Sequence, residues 1–133
     1  MLFIDALRNG AVALHEGITM AGRFQNKYVQ ATIETLRNIA SQVKARSAKQ
    51  LEASDALAED LGYDSRELEN LAVWQRQAAN ALRKDGKRTV IRASHFEDKT
   101  VGQVLGETIK RSTGVEYTAA ELAVLIAEAK EAL

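Results

Sequence analysis

The sequence contains no proline among its 133 residues. At the usual frequency of about 5%, a chain of this length carries roughly six or seven prolines, so chance alone rarely gives none. Proline is most disruptive inside α-helices because it lacks a backbone N–H and clashes with the preceding turn. The sequence therefore predicts an all-α fold.

Cysteine is also absent, which excludes a disulfide framework and a thiolate metal site and fits a reducing compartment. We expect a location in the cytoplasm or inside a virus particle. Asp5 and Arg8 interrupt the apolar opening, and no uncharged apolar stretch is as long as a membrane span. We therefore expect neither a signal peptide nor a membrane partner.

A net charge is missing as well, because eighteen basic residues balance eighteen acidic ones. The whole molecule thus has no long-range field that draws it onto nucleic acid or anionic lipid. Any binding of that kind has to come from a local patch of charge. A neutral chain also lacks the self-repulsion that keeps small proteins apart, which permits association.

The apolar periodicity predicts one helical domain over residues 1–133, an irregular bundle of about five helices. Residues 1–52 hold two N-terminal helices, over about 2–22 and about 24–49. Residues 54–86 are expected to form a helical corner, and residues 100–133 a C-terminal helical pair. Between them, residues 87–99 are expected to be extended or to form a short β-hairpin near 87–96. The hairpin is suggested by Thr89-Val90-Ile91, a β-branched cluster in a polar stretch.

Two apolar faces predict association. The helix over 24–49 carries apolar residues in four-three alternation, a seam for another helix, at Ile33, Leu36, Ala40 and Val43. The last helix begins at a capping box of Thr118 and Glu121, as the one before it begins at Thr100 and Gln103. Its apolar arc exceeds one narrow stripe and includes Leu122, Leu125 and Ile126. These seven residues are the predicted association surface, although the same bundle can also bury the arc by itself.

The stretch from Asp55 to Trp74 resembles a helix-turn-helix. Ser54 can cap a short helix over residues 55–61, Gly62 can end it, and a long helix follows from Asp64 or Ser65. The helix that would enter the DNA groove begins with several carboxylates, which argues against DNA binding. The positive charge lies further on, at Arg76, Arg83, Lys84, Lys87, Arg88 and Arg92. These six residues are candidate phosphate contacts, or simply a solvated helix end that the helix dipole stabilises.

Histidine occurs only at positions 15 and 95, without the spacing of metal ligands, so we predict neither a metal nor a cofactor. Arg88 followed by His95 is similar to the active motif of HEPN ribonucleases, which are also all-helical. That resemblance implies Arg88 as a phosphate binder and His95 as a general acid or base.

The sequence as a whole favours a non-enzymatic protein that acts by protein–protein association, either with copies of itself or within a larger assembly such as those of phage particles and bacterial complexes. The first alternative is a helix-turn-helix regulator that binds DNA through the basic cluster from Arg83 to Arg92. The second alternative is a HEPN-like ribonuclease that uses Arg88 and His95.

Overall fold

The computed structural model describes residues 24–44 and 46–133. In that part of the chain four α-helices follow one another: α1 (Asn26–Ala40), α2 (Ser65–Leu82), α3 (Val101–Thr113) and α4 (Ala119–Glu131). Two short 3-10 turns, Ala48–Gln50 and Ala93–Phe96, lie between them. The all-α prediction is confirmed, whereas the helix expected over 2–22 lies outside the described residues.

Capping side chains explain where three of these helices begin. The side chains of Asp64, Thr100 and Thr118 each accept a hydrogen bond from the backbone N–H three residues later, at 3.0, 3.2 and 3.1 Å. Each bond satisfies one of the backbone donors that a helix leaves unpaired at its first turn. The predicted starts of α2, α3 and α4 are therefore confirmed.

The first described helix is shorter than predicted, because α1 ends at Ala40 instead of near 49. The hydroxyl of Tyr63 donates to the carbonyl oxygen of Ile39 at 2.8 Å, and the amide of Gln42 donates to Tyr63 Oη and to the Glu67 carbonyl oxygen. Burial raises the pKa of Tyr63 to about 12, so the hydroxyl stays protonated and can donate. Tertiary hydrogen bonds thus replace the next turn of the helix.

No helix forms over residues 55–61, so the helix-turn-helix prediction is wrong. Asp55 and Leu57 use their backbone groups to pair with the segment before α3: the Leu57 N–H donates to the Lys99 carbonyl oxygen, and the Val101 N–H donates to that of Asp55. These bonds compete with helical ones. Gly62 does take the left-handed conformation expected of it, with φ 73°, but it ends a series of turns.

The predicted hairpin near 87–96 is also absent, since the described residues contain no strand pairs beyond one isolated bridge between Ala56 and Thr100. From residue 88 to 92 exposed and buried side chains alternate as in an extended chain, Arg92 has extended dihedral angles (φ −120°, ψ 157°), and the chain then coils into the 3-10 turn Ala93–Phe96. The segment packs against α2 rather than folding back on itself.

One continuous core connects the four helices. Each helix contributes at least one fully buried leucine or isoleucine to it, among them Leu36, Leu71, Leu105 and Leu125. At the α3–α4 crossing a Cβ added to Gly106 would lie 2.9 Å from Leu122 Cδ1, so the absence of a side chain permits the close approach. None of the described helices combines the length and apolarity that crossing a bilayer requires.

Candidate binding groove

Helix α2 has an inner face that belongs to the core and an outer face that does not. The inner stripe has the spacing of one helix face, with Leu71, Gln75 and Ala79 fully buried. Along the outer face runs the segment 88–94, which comprises the extended residues 88–92 and the start of the 3-10 turn, and the two elements enclose an open groove of about 900 Å³. Its α2 wall comprises Glu69, Ala72, Val73, Arg76, Gln77 and Asn80. We call this feature the arginine groove, after Arg76, Arg88 and Arg92.

The second wall of the groove is held in place by specific contacts. The Thr89 N–H donates to Asn80 Oδ1 of α2 at 2.7 Å, and the side chains of Thr89 and Ile91 are buried beneath the segment. The residues between and around them are exposed. This two-residue alternation is that of an extended chain with one face against the core and the other toward solvent.

Arg83 fixes the bend that precedes this wall. Its guanidinium makes a two-point ion pair with Asp85, with N–O distances of 3.0 and 2.8 Å, and also donates to the Arg88 carbonyl oxygen and to Thr89 Oγ1. The hydrogen bonds from Arg83 and from the Lys87 N–H lower the pKa of Asp85 to about 2, so this carboxylate stays ionised. Arg83, a predicted phosphate contact, thus serves as a structural clamp.

The arginine groove carries the exposed apolar side chains of the described chain. Among residues 24–44 and 46–133, the large hydrophobic residues that remain exposed are Val73 on α2 and Val90 on the extended segment, at 46% and 59% exposure. Both line the same groove, one on each wall. Single exposed apolar residues are ordinary on a protein surface, but two that face one groove form a contact area.

Positive charge surrounds this apolar contact area. The side chains of Arg88 and Arg92 have no hydrogen-bond or ion-pair partner among the described residues, in contrast to Arg46, which is 2.6 Å from a carboxylate oxygen of Asp55. Arg76 donates from Nε to the Ala72 carbonyl oxygen of its own helix. Glu69 supplies the one carboxylate of the groove lining. The groove therefore offers unpaired guanidinium groups to an anionic ligand.

No protein-family model, curated protein or solved structure matches this chain. The chemistry of the groove, together with the positions of the other predicted site residues, is therefore the basis for assigning a function.

The predicted association surface lies largely inside the protein. Leu36 and Leu125 are fully buried, and Ile33, Leu122 and Ile126 are nearly so. Ala40 and Val43 are half-buried against the same core. The physical reason is that α1 and α4 pack on each other, so each helix covers the apolar face that the sequence left without a partner. As an exposed docking face, this prediction is wrong.

The candidate phosphate contacts do not all lie together. Arg76, Arg88 and Arg92 line the groove, Arg83 is the clamp described above, and Lys84 and Lys87 are exposed at the bend without lining it. The structure thus brings half of the predicted set to one place.

The structure does not join Arg88 to His95. His95 Nδ1 accepts a hydrogen bond from the Arg92 N–H at 3.0 Å, outside the groove lining. Burial lowers the pKa of His95, and the positive charges of Arg111 and Arg92 lower it further against the opposing effect of Glu107. Arg88 is not among the groups that act on this imidazole. Within the described residues, no three side chains of the His, Cys, Asp or Glu type cluster as metal ligands.

Sequence reasoning missed Val73, Val90 and Asn80 as parts of the site. A signal for Val90 was present, because it lies midway between Arg88 and Arg92 and two-residue periodicity places these three side chains on one face. Val73 lies off the inner stripe of α2, which is a weaker signal. Nothing in the sequence indicates that Asn80 fixes the Thr89 backbone.

Proposed function

We propose that this protein acts by non-enzymatic association with another protein and that the arginine groove is its contact surface. The observation that carries the proposal is the placement of Val73 and Val90 on opposite walls of a groove that also presents three arginines. Protein interfaces combine a small apolar centre with polar surroundings, and arginine is enriched in them.

Two further features support this function. The groove walls are held by the Asn80–Thr89 hydrogen bond and by the Arg83–Asp85 clamp. Binding therefore requires little ordering of the site, and the free energy of association is reduced less by that ordering. The groove lining contains no aromatic side chain on which a base can stack. This absence favours a protein over a nucleic acid.

Site-specific photo-crosslinking tests the proposal in cells that naturally contain the protein. A photoreactive amino acid is placed at position 90, in the groove, or at position 123, which is exposed on α4 and serves as the matched control. We expect a discrete protein adduct from position 90 that is absent from position 123 and disappears in the variant R88E/R92E. Equal adducts at both positions, or an adduct at 90 that survives R88E/R92E, would overturn the proposal.

Nucleic-acid binding is a second candidate, favoured by the charge distribution. Residues 76–92 contain six basic residues and one acidic residue, whereas the rest of the chain contains twelve basic and seventeen acidic ones. A regulator should bind duplex DNA with an affinity that falls steeply with salt, and K84E/K87E/R88E should abolish that binding. Unchanged binding by the triple variant would refute this candidate.

A further inference from the structure

We infer that the arginine groove recognises an extended acidic segment of a partner protein, one in which two carboxylate side chains flank an aliphatic side chain at alternate positions. This inference rests on the proposed function and specifies the partner chemistry. It follows from the spacing of the exposed side chains on the wall formed by residues 88–92.

The spacing is set by the extended backbone. Arg88, Val90 and Arg92 are exposed, whereas Thr89 and Ile91 are buried at 4% and 1% exposure, so the three exposed side chains share one face. In an extended chain, alternate residues are separated by about 6.6 Å, which places the two arginines about 13 Å apart with the valine midway. A second extended chain has the same repeat and can match all three positions at once.

The chemical complement at each position follows directly. A carboxylate opposite Arg88 and another opposite Arg92 would meet unpaired guanidinium groups, and an aliphatic side chain opposite Val90 would cover its exposed surface. The backbone of Val90 and Ile91 has no hydrogen-bond partner among the described residues. A strand laid along the segment can therefore also pair with the backbone groups of one of these two residues, as in β-strand addition, because adjacent residues of an extended chain present these groups to opposite edges.

A second copy of the chain does not supply this segment. The spacing acid, aliphatic, acid at alternate positions occurs once in the sequence, at Asp55, Leu57 and Glu59. There Asp55 is paired with Arg46, and Leu57 is 1% exposed within the core. The segment that fits the groove therefore belongs to a different protein.

Fluorescence anisotropy with synthetic peptides tests the inference on the full chain. The probe is a labelled peptide with the central sequence Glu-Thr-Val-Thr-Glu, and the control probe has the same composition with its two glutamates adjacent. We expect the alternating probe to bind about fivefold more tightly than the control, because only the alternating spacing reaches both arginines. Equal affinity for the two probes would overturn the inference.

Charge reversal provides the matched protein control. We expect R88E/R92E to weaken binding of the alternating probe about tenfold or more, whereas R37E/K44E, which reverses two exposed cations elsewhere, should leave it within about twofold. A probe with lysine in place of glutamate should bind R88E/R92E more tightly than it binds the wild-type protein. That exchange of preference distinguishes a loss of recognition from a loss of folding, and its absence would count against the inference.

Three outcomes separate this inference from the proposed function. If the adduct at position 90 forms but neither peptide binds, the association remains and the acidic-strand partner is refuted. An adduct with the mass of two chains would show that the groove binds a second copy of the chain. That result would refute the acidic-strand partner and leave the proposed association standing. If a labelled oligothymidine displaces the alternating probe and itself loses binding in R88E/R92E, the groove is a nucleic-acid site and both proposals fail.

Discussion

Polar side chains on the two sides of α2 differ in whether they have hydrogen-bond partners. On the inner face the amide of Gln75 is fully buried and donates to Thr35 Oγ1 and Thr108 Oγ1 at 2.9 and 3.0 Å, while its oxygen accepts from Asn38 at 2.8 Å. Across the groove from the outer face, the guanidinium groups of Arg88 and Arg92 have no partner within the described chain.

The hydrogen bonds of the inner face are needed for the stability of the fold, whereas the exposed side chains of the groove are available to a ligand. A buried polar group without hydrogen bonds costs about 1–3 kcal/mol, so the inner face is fully satisfied by α1 and α3. Exposed arginines and valines carry no such requirement, because water solvates them and the stability of the fold does not depend on them. The outer face is therefore where the chain offers contacts to another molecule.

The strongest test of this comparison removes an apolar side chain from each region. Leu125→Ala should lower the free energy of unfolding by about 3 kcal/mol, because the leucine is fully buried and its loss leaves a cavity. Val73→Ala, in the groove, should change it by less than about 0.5 kcal/mol. Urea unfolding followed by circular dichroism measures both. If Leu125→Ala leaves stability intact and instead changes the solution mass, the apolar arc of α4 is an association surface after all.

A smaller effect is expected when the same substitution is made on a polar residue of each face. Gln75→Leu should cost about 1–2 kcal/mol, since Asn38 loses its acceptor and two threonine hydroxyls lose a donor. Gln77→Leu, two residues later on the exposed outer face, should stay within about 0.5 kcal/mol of the wild type. Fluorescence of Trp74, the single tryptophan, reports unfolding in both variants. Equal losses would show that the inner network contributes nothing specific.

Local sequence signals predicted the helix starts, because a capping residue and its partner lie three positions apart. The inner stripe of α2 was predictable for a similar reason, since its period is that of one helix. The end of α1 and the loop after it could not be predicted, because they depend on residues distant in sequence. The Tyr63 hydroxyl donates to the Ile39 carbonyl oxygen at the end of α1, and the Leu57 N–H donates to the Lys99 carbonyl oxygen. No pattern within a short window contains such information.

The candidate site shows the same limit. The sequence identified the basic residues after position 76 but assigned association to the apolar residues of α1 and α4, because periodicity indicates that a face is covered and does not say by what. Only the packing of α1 on α4 shows that the cover is the chain itself. Conversely, the valines of the groove are hard to recognise in the sequence, because each lies next to an apolar residue that belongs to the core, Ala72 beside Val73 and Ile91 beside Val90.

The smallest expected effect provides the sharpest test of the extended segment, because adjacent residues there face opposite ways. Val90→Ala removes two methyl groups yet should change the free energy of unfolding by less than about 0.5 kcal/mol, because this side chain is 59% exposed. Ile91→Val removes only one methyl group and should cost about 1 kcal/mol, because this side chain is 1% exposed. Peptide affinity should show the reverse order, with Val90→Ala weakening the alternating probe and Ile91→Val leaving it unchanged. If Val90→Ala is the more destabilising variant, the two faces of the segment are exchanged and Arg88 and Arg92 do not flank a valine that a partner can reach.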